Sequence, residues 1–473
     1  MEVAAVNKKL ITGFLTLSFR KAILLAISFV TINLVLARIL PVSVIGIFNI
    51  ANSILAFFSY FSDIGLAGAL IQKKEISIHD LKTTFSIQEV LALIITITLV
   101  VFAPNLAGFY NLDSSGVWLI RSLAIGFFLT SLKVIPSVLL ERELDFGKLV
   151  WVEISETLLF NGALIFFVWQ HFSIDSFSYA VLIRSVAGSA LINYLSPWKI
   201  SLGLNKTALK SLLSFGLPFQ TNSILALLKD RLVPLVVARI VGATGVGLIT
   251  WAQAVTFMSL EVMNIMSRIT FPAFSRLQHD DKALKSTLEK TLFLTSILFY
   301  PMLFGFVAIA PKFISEIVSE KWKPALPLIY LFSVTVFWAN LSSPFTNFLN
   351  AVGRVKTTLK LMVMWTILEW VLTPIATIKF GFLGVGIASA LISFTSIIPI
   401  IIIKRIIPVA IFRSIWQGLL AAGLMFIFTS VWSYYFVTDL VSLAVAVFLS
   451  VLTYGGLIYL LARAKIKSAL SSK

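Results

Sequence analysis

The sequence predicts an all-α integral membrane protein with about 14 transmembrane helices, and three observations support this fold class. First, 59% of the 473 residues are hydrophobic and only 12% are charged, whereas soluble proteins average ~45–50% and ~25%. Second, one membrane-crossing helix needs ~20 mainly apolar residues, so this content is enough for roughly 14 helices. Third, a short motif recurs in the second half of the chain, which indicates two related lobes.

The predicted spans are long apolar segments separated by polar loops. The first contains Arg20 and Lys21 but continues to Leu36, so it is interpreted as a retained span and not as a signal peptide. Several segments are longer than the ~20 residues that cross a bilayer and are expected to tilt. The segments cover residues 10–37, 43–70, 83–109, 116–140, 149–170, 176–197, 211–240, 245–273, 287–311, 324–350, 357–378, 382–403, 413–435 and 440–461.

Lysine and arginine residues between the spans are concentrated on one face of the predicted bundle. Basic residues collect in cytoplasmic loops of membrane proteins, so this face is predicted to be cytoplasmic and both termini to lie there. The same topology explains the net charge of +17 without nucleic acid as a partner. The loops on the opposite face are short, which leaves no room for an external catalytic domain. The basic loops include residues 73–82, 199–210, 276–290, 354–360, 404–413 and 463–473.

An internal repeat relates residues 37–47 to residues 238–248. The Ala, Arg, Ile and second Gly of the motif recur at 37 and 238, 38 and 239, 39 and 240, and 46 and 247, each pair 201 residues apart. Both copies connect a span that runs outward to the next span, which predicts parallel repeats about an axis along the membrane normal. We therefore expect a six-helix lobe at 1–200, a second at 201–408, and two additional helices with a basic cytoplasmic tail at 409–473.

Four charged residues are predicted at similar depth in the inner half of the bilayer: Arg20, Asp63, Lys133 and Arg268. A rise of 1.5 Å per residue places them ~12–16 Å from the predicted cytoplasmic face. Ionisable side chains at membrane depth cost ~2.5–3.5 kcal/mol on insertion scales and usually face a wet cavity or a partner. Their excess of positive charge predicts a cationic chamber that binds an anionic group such as phosphate.

A second set of charges lies in the outer half of span seven, in the triplet Lys229, Asp230 and Arg231. Successive residues on a helix diverge by ~100°, so Lys229 or Arg231 is expected to line the chamber while Asp230 neutralises a neighbour. Glu156 is expected to reach an interface by snorkelling. Structural ion pairs remain an alternative explanation for any one of these charges. Other buried candidates are Arg184, Glu261 and Glu369.

Several chemistries are excluded by residue type. The chain has no cysteine, which rules out disulfides, thiolate nucleophiles, cysteine-ligated zinc and iron–sulfur clusters. The three histidines are scattered, and no glycine-rich loop ends in a Lys-Ser or Lys-Thr pair, so neither a metal site nor a nucleotide site is predicted. A membrane-embedded glycosyltransferase would need acidic pairs, but Asp280 and Asp281 lie in a short basic loop and are expected to be solvated. We expect no cofactor and no enzymatic activity.

Motifs along the whole chain resemble those of one transporter family. The chain resembles the polysaccharide transporter family, the Wzx-type flippases of the multidrug/oligosaccharidyl-lipid/polysaccharide exporter superfamily. One departure is Gly147, where the family often has a basic or polar residue. The matching motifs are LARILP at 36–41 with a glycine at 46, FSDIGLAGALIQKK at 61–74, LLERELDF at 139–146, SFGLPF at 214–219, and the segment from KDRL at 229–232 to the glycine at 247.

This resemblance implies a function. Such proteins have fourteen helices in two lobes, alternate between inward-open and outward-open states, and move an undecaprenyl-diphosphate-linked oligosaccharide to the outer leaflet of the bacterial inner membrane. Polysaccharide polymerases and assembly proteins are the expected partners. In similar lipid flippases arginines of spans one and eight line the cavity, so Arg20 and Arg268 are the first candidates for substrate binding.

Another function class remains open on the same architecture. A cation-coupled drug or metabolite exporter would need an acidic ion site within the spans. Four carboxylates are the candidates for ion coupling or for charge pairing: Asp63, Asp230, Glu261 and Glu369.

Overall fold

The computed structural model describes residues 23–62, 64–221 and 232–471, and within these ranges it is helical without strands. The chain divides into two compact units, 1–247 and 248–473. The lobe boundaries expected at residues 200 and 408 remain predictions. Among the described residues, eleven helices are long and apolar enough to cross a membrane. The all-α membrane fold is therefore confirmed, whereas the number of fourteen spans stays a prediction.

The helices of the first unit follow the predicted spans closely. The helix of span six is not among the eleven apolar ones because Arg184 and several serines lie along it. The helix bounds are α1 Ile23–Ile39, α2 Val42–Ser59, α3 Leu66–Gln72, α4 Ile78–Phe109, α5 Ser114–Ser131, α6 Val134–Arg142, α7 Phe146–Trp169, α8 Asp175–Leu195, α9 Lys206–Thr221 and α10 Val233–Phe257. Helix α10 continues into the second unit.

Spans two and four are each broken into two helices, which corrects the prediction of single segments. The first break falls between α2 and α3, where Gly65 adopts a left-handed φ of +80° that ends regular helix geometry. The second falls at Leu132 and Lys133, between α5 and α6. The two short helices contact each other, because Arg142 donates hydrogen bonds to the carbonyl oxygens of Leu70 at 2.7 Å and Ile71 at 3.1 Å. These bonds satisfy carbonyls that the C-terminus of α3 leaves without helix partners.

Equivalent positions of the repeat contact each other reciprocally within the first unit. A Cβ atom added at Gly46 would overlap the carbonyl oxygen of Ala243, and one added at Gly247 would overlap that of Val42. Val42 and Ala243 are also 201 residues apart, so the two contacts are related by the repeat. Reciprocal contacts of this kind are typical of an interface with pseudo-two-fold symmetry. The second copy lies where α10 is broken at Gly242, whose φ is +67°, so the predicted turn between spans seven and eight is confirmed.

The second unit contains the remaining helices. Helix α12 begins at an N-cap, because the Asp280 carboxylate accepts hydrogen bonds from the backbone N–H groups of Lys282 and Ala283 at 3.0 Å. Asp280 and Asp281 are both exposed, as the sequence predicted. The bounds are α11 Glu261–Arg276, α12 Asp281–Lys312, α13 Leu326–Ala351, α14 Val355–Phe380, α15 Leu383–Phe394, α16 Ile397–Lys404, α17 Ile411–Phe436 and α18 Leu440–Ser471.

Candidate functional site

The charged residues expected at membrane depth divide into two groups. Five of them lie outside the described residues, and their placement remains a prediction: Arg20, Asp63, Lys229, Asp230 and Arg231. The structure describes the other five: Lys133, Arg184, Glu261, Arg268 and Glu369.

Lys133 lies at the break between α5 and α6, where its ammonium forms an ion pair with the carboxylate of Glu156 on α7. The side chains are only 17% and 5% exposed. We expected Glu156 to reach an interface by snorkelling, and this expectation is wrong. A buried lysine needs a nearby negative charge to offset its desolvation, and Glu156 supplies that charge from within the helix packing.

Gly188 on α8 makes room for this ion pair. A Cβ atom at residue 188 would overlap the Glu156 carboxylate, so the glycine leaves the space in which the carboxylate lies against α8. One turn earlier on α8, the Ser185 hydroxyl accepts a hydrogen bond from the Thr130 hydroxyl at 3.3 Å, and directly after Gly188 the Ser189 hydroxyl donates to the carbonyl of Leu129. Small and hydroxylated residues of this kind allow close helix packing in membranes. The ion pair therefore lies in a polar layer between α5, α7 and α8.

Arg184 is exposed on α8, and its guanidinium lies 5.8 Å from the centre of the Phe160 ring. A cation over an aromatic face at this distance is attracted by the ring quadrupole. This contact orients the side chain while the guanidinium stays accessible, which is compatible with the predicted binding of an anion.

Arg268 lies on an exposed face of α11. Its neighbours on this face include Ile265 and Ile269, which are 60% and 61% exposed. The opposite face of α11 is anchored by Asn347 of α13, whose amide donates to the Thr270 hydroxyl at 2.9 Å. Packing and hydrogen bonding thus fix the helix while the guanidinium remains accessible.

The two remaining candidates, Glu261 and Glu369, are half-buried and each already interacts with a partner. Their predicted role in ion coupling or charge pairing remains a prediction. Among the described residues, no group of three or more His, Asp or Glu side chains is arranged to hold a metal ion.

Glu89 is a membrane-depth carboxylate that the sequence reasoning missed. It is 9% exposed in α4, where its Oε2 atom accepts a hydrogen bond from the Ser131 hydroxyl at 2.9 Å. Its Oε1 atom has no hydrogen-bond partner among the described residues. The signal was present, because residue 89 falls inside predicted span three.

The eleven long apolar helices among the described residues define the class of protein, a multi-pass membrane protein, and solved structures agree with this fold. Similar folds include the lipid II flippase MurJ in an inward-closed conformation, with a TM-score of 0.76, 14% identity, and coverage of 96% of this chain and 100% of that one. An inward-facing multidrug resistance MATE transporter of the MOP superfamily gives a TM-score of 0.59, 15% identity, and coverage of 87% and 98%.

The family follows from the sequence comparisons. The model of the family described as "Polysaccharide biosynthesis protein" matches residues 35–327, more than half of the chain, so this protein belongs to that family. The lipopolysaccharide biosynthesis protein WzxC of Escherichia coli is 27% identical over 374 residues, 77% of this chain and 74% of that protein. The teichuronic acid biosynthesis protein TuaB of Bacillus subtilis is 27% identical over 296 residues, 62% and 61% of the two chains. The family predicted from the motifs is confirmed.

Proposed function

We propose that this protein is a flippase that moves an undecaprenyl-diphosphate-linked oligosaccharide repeat unit from the cytoplasmic to the outer leaflet. The product serves surface polysaccharide biosynthesis. The observation that carries the proposal is the family match over residues 35–327. The likeness of the whole fold to a lipid II flippase supports it.

The proposed mechanism is alternating access through a cationic central cavity. The lipid tail stays in the bilayer while the polar glycan crosses between the lobes, so the glycan never enters hydrocarbon. Arginine and lysine side chains bind the diphosphate, for which their charge and hydrogen-bond donors are suited. Arg20, Arg268 and Arg231 have this role, together with Lys229, Lys133 and Arg184. Asp63 titrates or pairs with Arg20 as the lobes rock.

Deletion of the gene, followed by analysis of lipid-linked intermediates, tests this function. A finished repeat unit should accumulate on the cytoplasmic leaflet and surface polymer should be lost. When Arg268→Ala is expressed in the deletion strain, delivery of the repeat unit to the outer leaflet should be about tenfold or more below that of the native chain. The reason is that one charge-assisted hydrogen bond contributes ~1.5–3 kcal/mol. The matched control is Arg276→Ala, which removes an exposed arginine from the last turn of the same helix. Normal polymer production in the null strain would refute the function, and equal delivery by both variants would refute the role of Arg268.

A cation-coupled drug or metabolite exporter is the second candidate, favoured by the likeness of the fold to a multidrug resistance transporter. Its ion site would use carboxylates from the set Asp63, Asp230, Glu261 and Glu369. A changed drug resistance profile in a deletion strain with normal surface polysaccharide would favour this exporter over the flippase.

The proposed location is the bacterial inner membrane, with both termini in the cytoplasm as the basic loops predict. In this location the protein would receive its substrate from the enzymes that assemble lipid-linked repeat units. It would deliver the substrate to a polysaccharide polymerase and to assembly proteins.

A further inference from the structure

A basic pocket lies in the second unit, apart from the residues proposed for transport. It has a volume of about 280 Å³ and lies between the beginnings of α12 and α17 and the end of α18. This volume lies just below the range of about 300–1,000 Å³ that drug-sized ligands occupy, so the pocket suits a compact headgroup and is too small for an oligosaccharide. We refer to it as the basic pocket. Its charged side chains are Lys285, Glu289, Lys290, Arg413 and Lys465.

The charges of the basic pocket are unbalanced, with four cations and one carboxylate. That carboxylate is also engaged elsewhere, because Glu289 Oε1 accepts the backbone N–H of Ala410 at 2.9 Å. Ala410 directly precedes α17, so Glu289 caps the positive end of that helix dipole. Its negative charge therefore offsets the helix end as well as the surrounding cations, and the charged side chains that line the pocket carry an excess of positive charge.

Lys465 is held in a fixed position inside this cluster. Its Nζ atom donates to the carbonyl oxygen of Arg413 at 3.0 Å and lies 4.4 Å from the centre of the Phe293 ring. Burial, and then the positive charge of Arg413, lower the pKa of Lys465, while Glu289 opposes this shift. Like charges at close range in a partly buried site raise the electrostatic energy, and a bound anion would lower it.

The position of the basic pocket relative to the spans indicates the source of the anion. The candidate span of α17 begins at Ile411 and that of α18 ends at Arg463, so the pocket lies where helices leave the hydrocarbon. Phospholipid headgroups occupy this level of the membrane. Exposed apolar side chains lie close by in sequence on both helices, with Phe412 73% and Leu460 79% exposed. A lipid can therefore place its phosphate in the pocket and its chains against neighbouring apolar surface.

We propose that the basic pocket binds the phosphate of an anionic membrane lipid in the leaflet that the basic loops predict to be cytoplasmic. Basic pockets between transmembrane helices on this side bind anionic headgroups by charge and hydrogen bonding. The site is independent of the transport route proposed above. Arg413 and Lys465 supply the main contacts, because they join the two helices that close the pocket.

Native mass spectrometry of the purified full-length protein in detergent tests the proposal, with phosphatidylglycerol and phosphatidylcholine as probes. The native chain should bind phosphatidylglycerol more tightly than phosphatidylcholine. The double variant Arg413→Gln/Lys465→Gln should bind it about thirtyfold more weakly, which corresponds to ~1 kcal/mol for each removed cation. The matched control is Lys404→Gln/Arg405→Gln, which removes the same charges from exposed positions on the same predicted face. This control should retain the affinity of the native chain.

Three results would overturn the proposal. These are equal binding of both lipids by the native chain, equal weakening in the two double variants, and complete displacement of phosphatidylglycerol by inorganic phosphate. The last result would identify a site for the free ion. If Arg413→Gln/Lys465→Gln does not fold, Lys285→Gln replaces it, with an expected loss of about fivefold from one cation. A Lys285→Gln chain that keeps native affinity would then count against the site.

Discussion

Replacing Glu156 by glutamine leaves the Lys133 ammonium without its carboxylate partner inside the first unit. The two side chains are 5% and 17% exposed, so water replaces the lost partner only poorly. Removing one member of a buried ion pair costs about 3–5 kcal/mol, and the residual exposure of Lys133 favours the lower end, about 3 kcal/mol. Glutamine has nearly the shape of glutamate and keeps the contact with Gly188, so the effect isolates the charge.

The assay is the thermal unfolding midpoint of the purified full-length protein in detergent. Glu156→Gln and Lys133→Met should each lower the midpoint by several degrees. The double variant should regain most of this loss, because neither buried charge is then left without its partner. The control Lys148→Met removes half of an exposed pair with Asp145 at 3.3 Å, in which the side chains are 44% and 38% exposed. Such a pair contributes at most about 1 kcal/mol.

Equal midpoints for Glu156→Gln and Lys148→Met would refute the reasoning, as would a double variant whose loss equals the sum of the single losses. Transport by the double variant tests the predicted role of Lys133 separately. A folded double variant without transport supports substrate binding by Lys133. If the double variant transports normally, the role of Lys133 is only to form a structural ion pair with Glu156.

Two further predictions concern the repeat contact and Glu141 in the last turn of α6. Gly46→Ala should lower the unfolding midpoint by the equivalent of about 1–3 kcal/mol, because the new methyl group overlaps a backbone carbonyl. The control is Gly162→Ala, whose methyl group meets open space within a helix and should leave the unfolding midpoint unchanged or raised. Equal midpoints for Gly46→Ala and Gly162→Ala would contradict the close contact at Gly46. Burial, and then the charge of Glu153, raise the pKa of Glu141. A carboxyl with a raised folded-state pKa binds its proton more tightly when folded, so stability increases as pH falls through that pKa. Glu141→Gln should remove this increase. An identical pH profile of the unfolding midpoint in the native chain and in Glu141→Gln would count against the raised pKa of Glu141.

Most of the fold follows from patterns that are local in the sequence. Long apolar segments mark the helices because every backbone polar group must be satisfied within the bilayer. The breaks in spans two and four were missed because each segment as a whole is apolar, although each break contains one charged residue, Asp63 or Lys133. Gly65 changes the backbone conformation there without changing hydropathy. The repeat was recognised from a few identities, but only the structure brings its two glycines against the opposite backbone.

The candidate site was predicted less completely than the fold. Sequence reasoning identified Lys133 as a membrane-depth cation, yet it assigned Glu156 to an interface and missed Glu89. Charge at membrane depth is visible from position alone. The partner of each charge depends on which helix faces meet, and the hydropathy pattern along the chain carries no information about that.

The amino-acid sequence by itself determined the membrane class, the order of the helices and the family, and it predicted the duplication. These properties depend on composition, on spacing along one chain and on short motifs. The tertiary structure decided which charges are neutralised and which stay accessible. Glu156 pairs with Lys133 from a neighbouring helix, and Gly188 on a third helix leaves room for its carboxylate. Arg413 and Lys465, 52 residues apart, meet because α17 and α18 bring opposite helix ends together. Electrostatic interactions act over a few ångströms in space, and folding alone sets those distances.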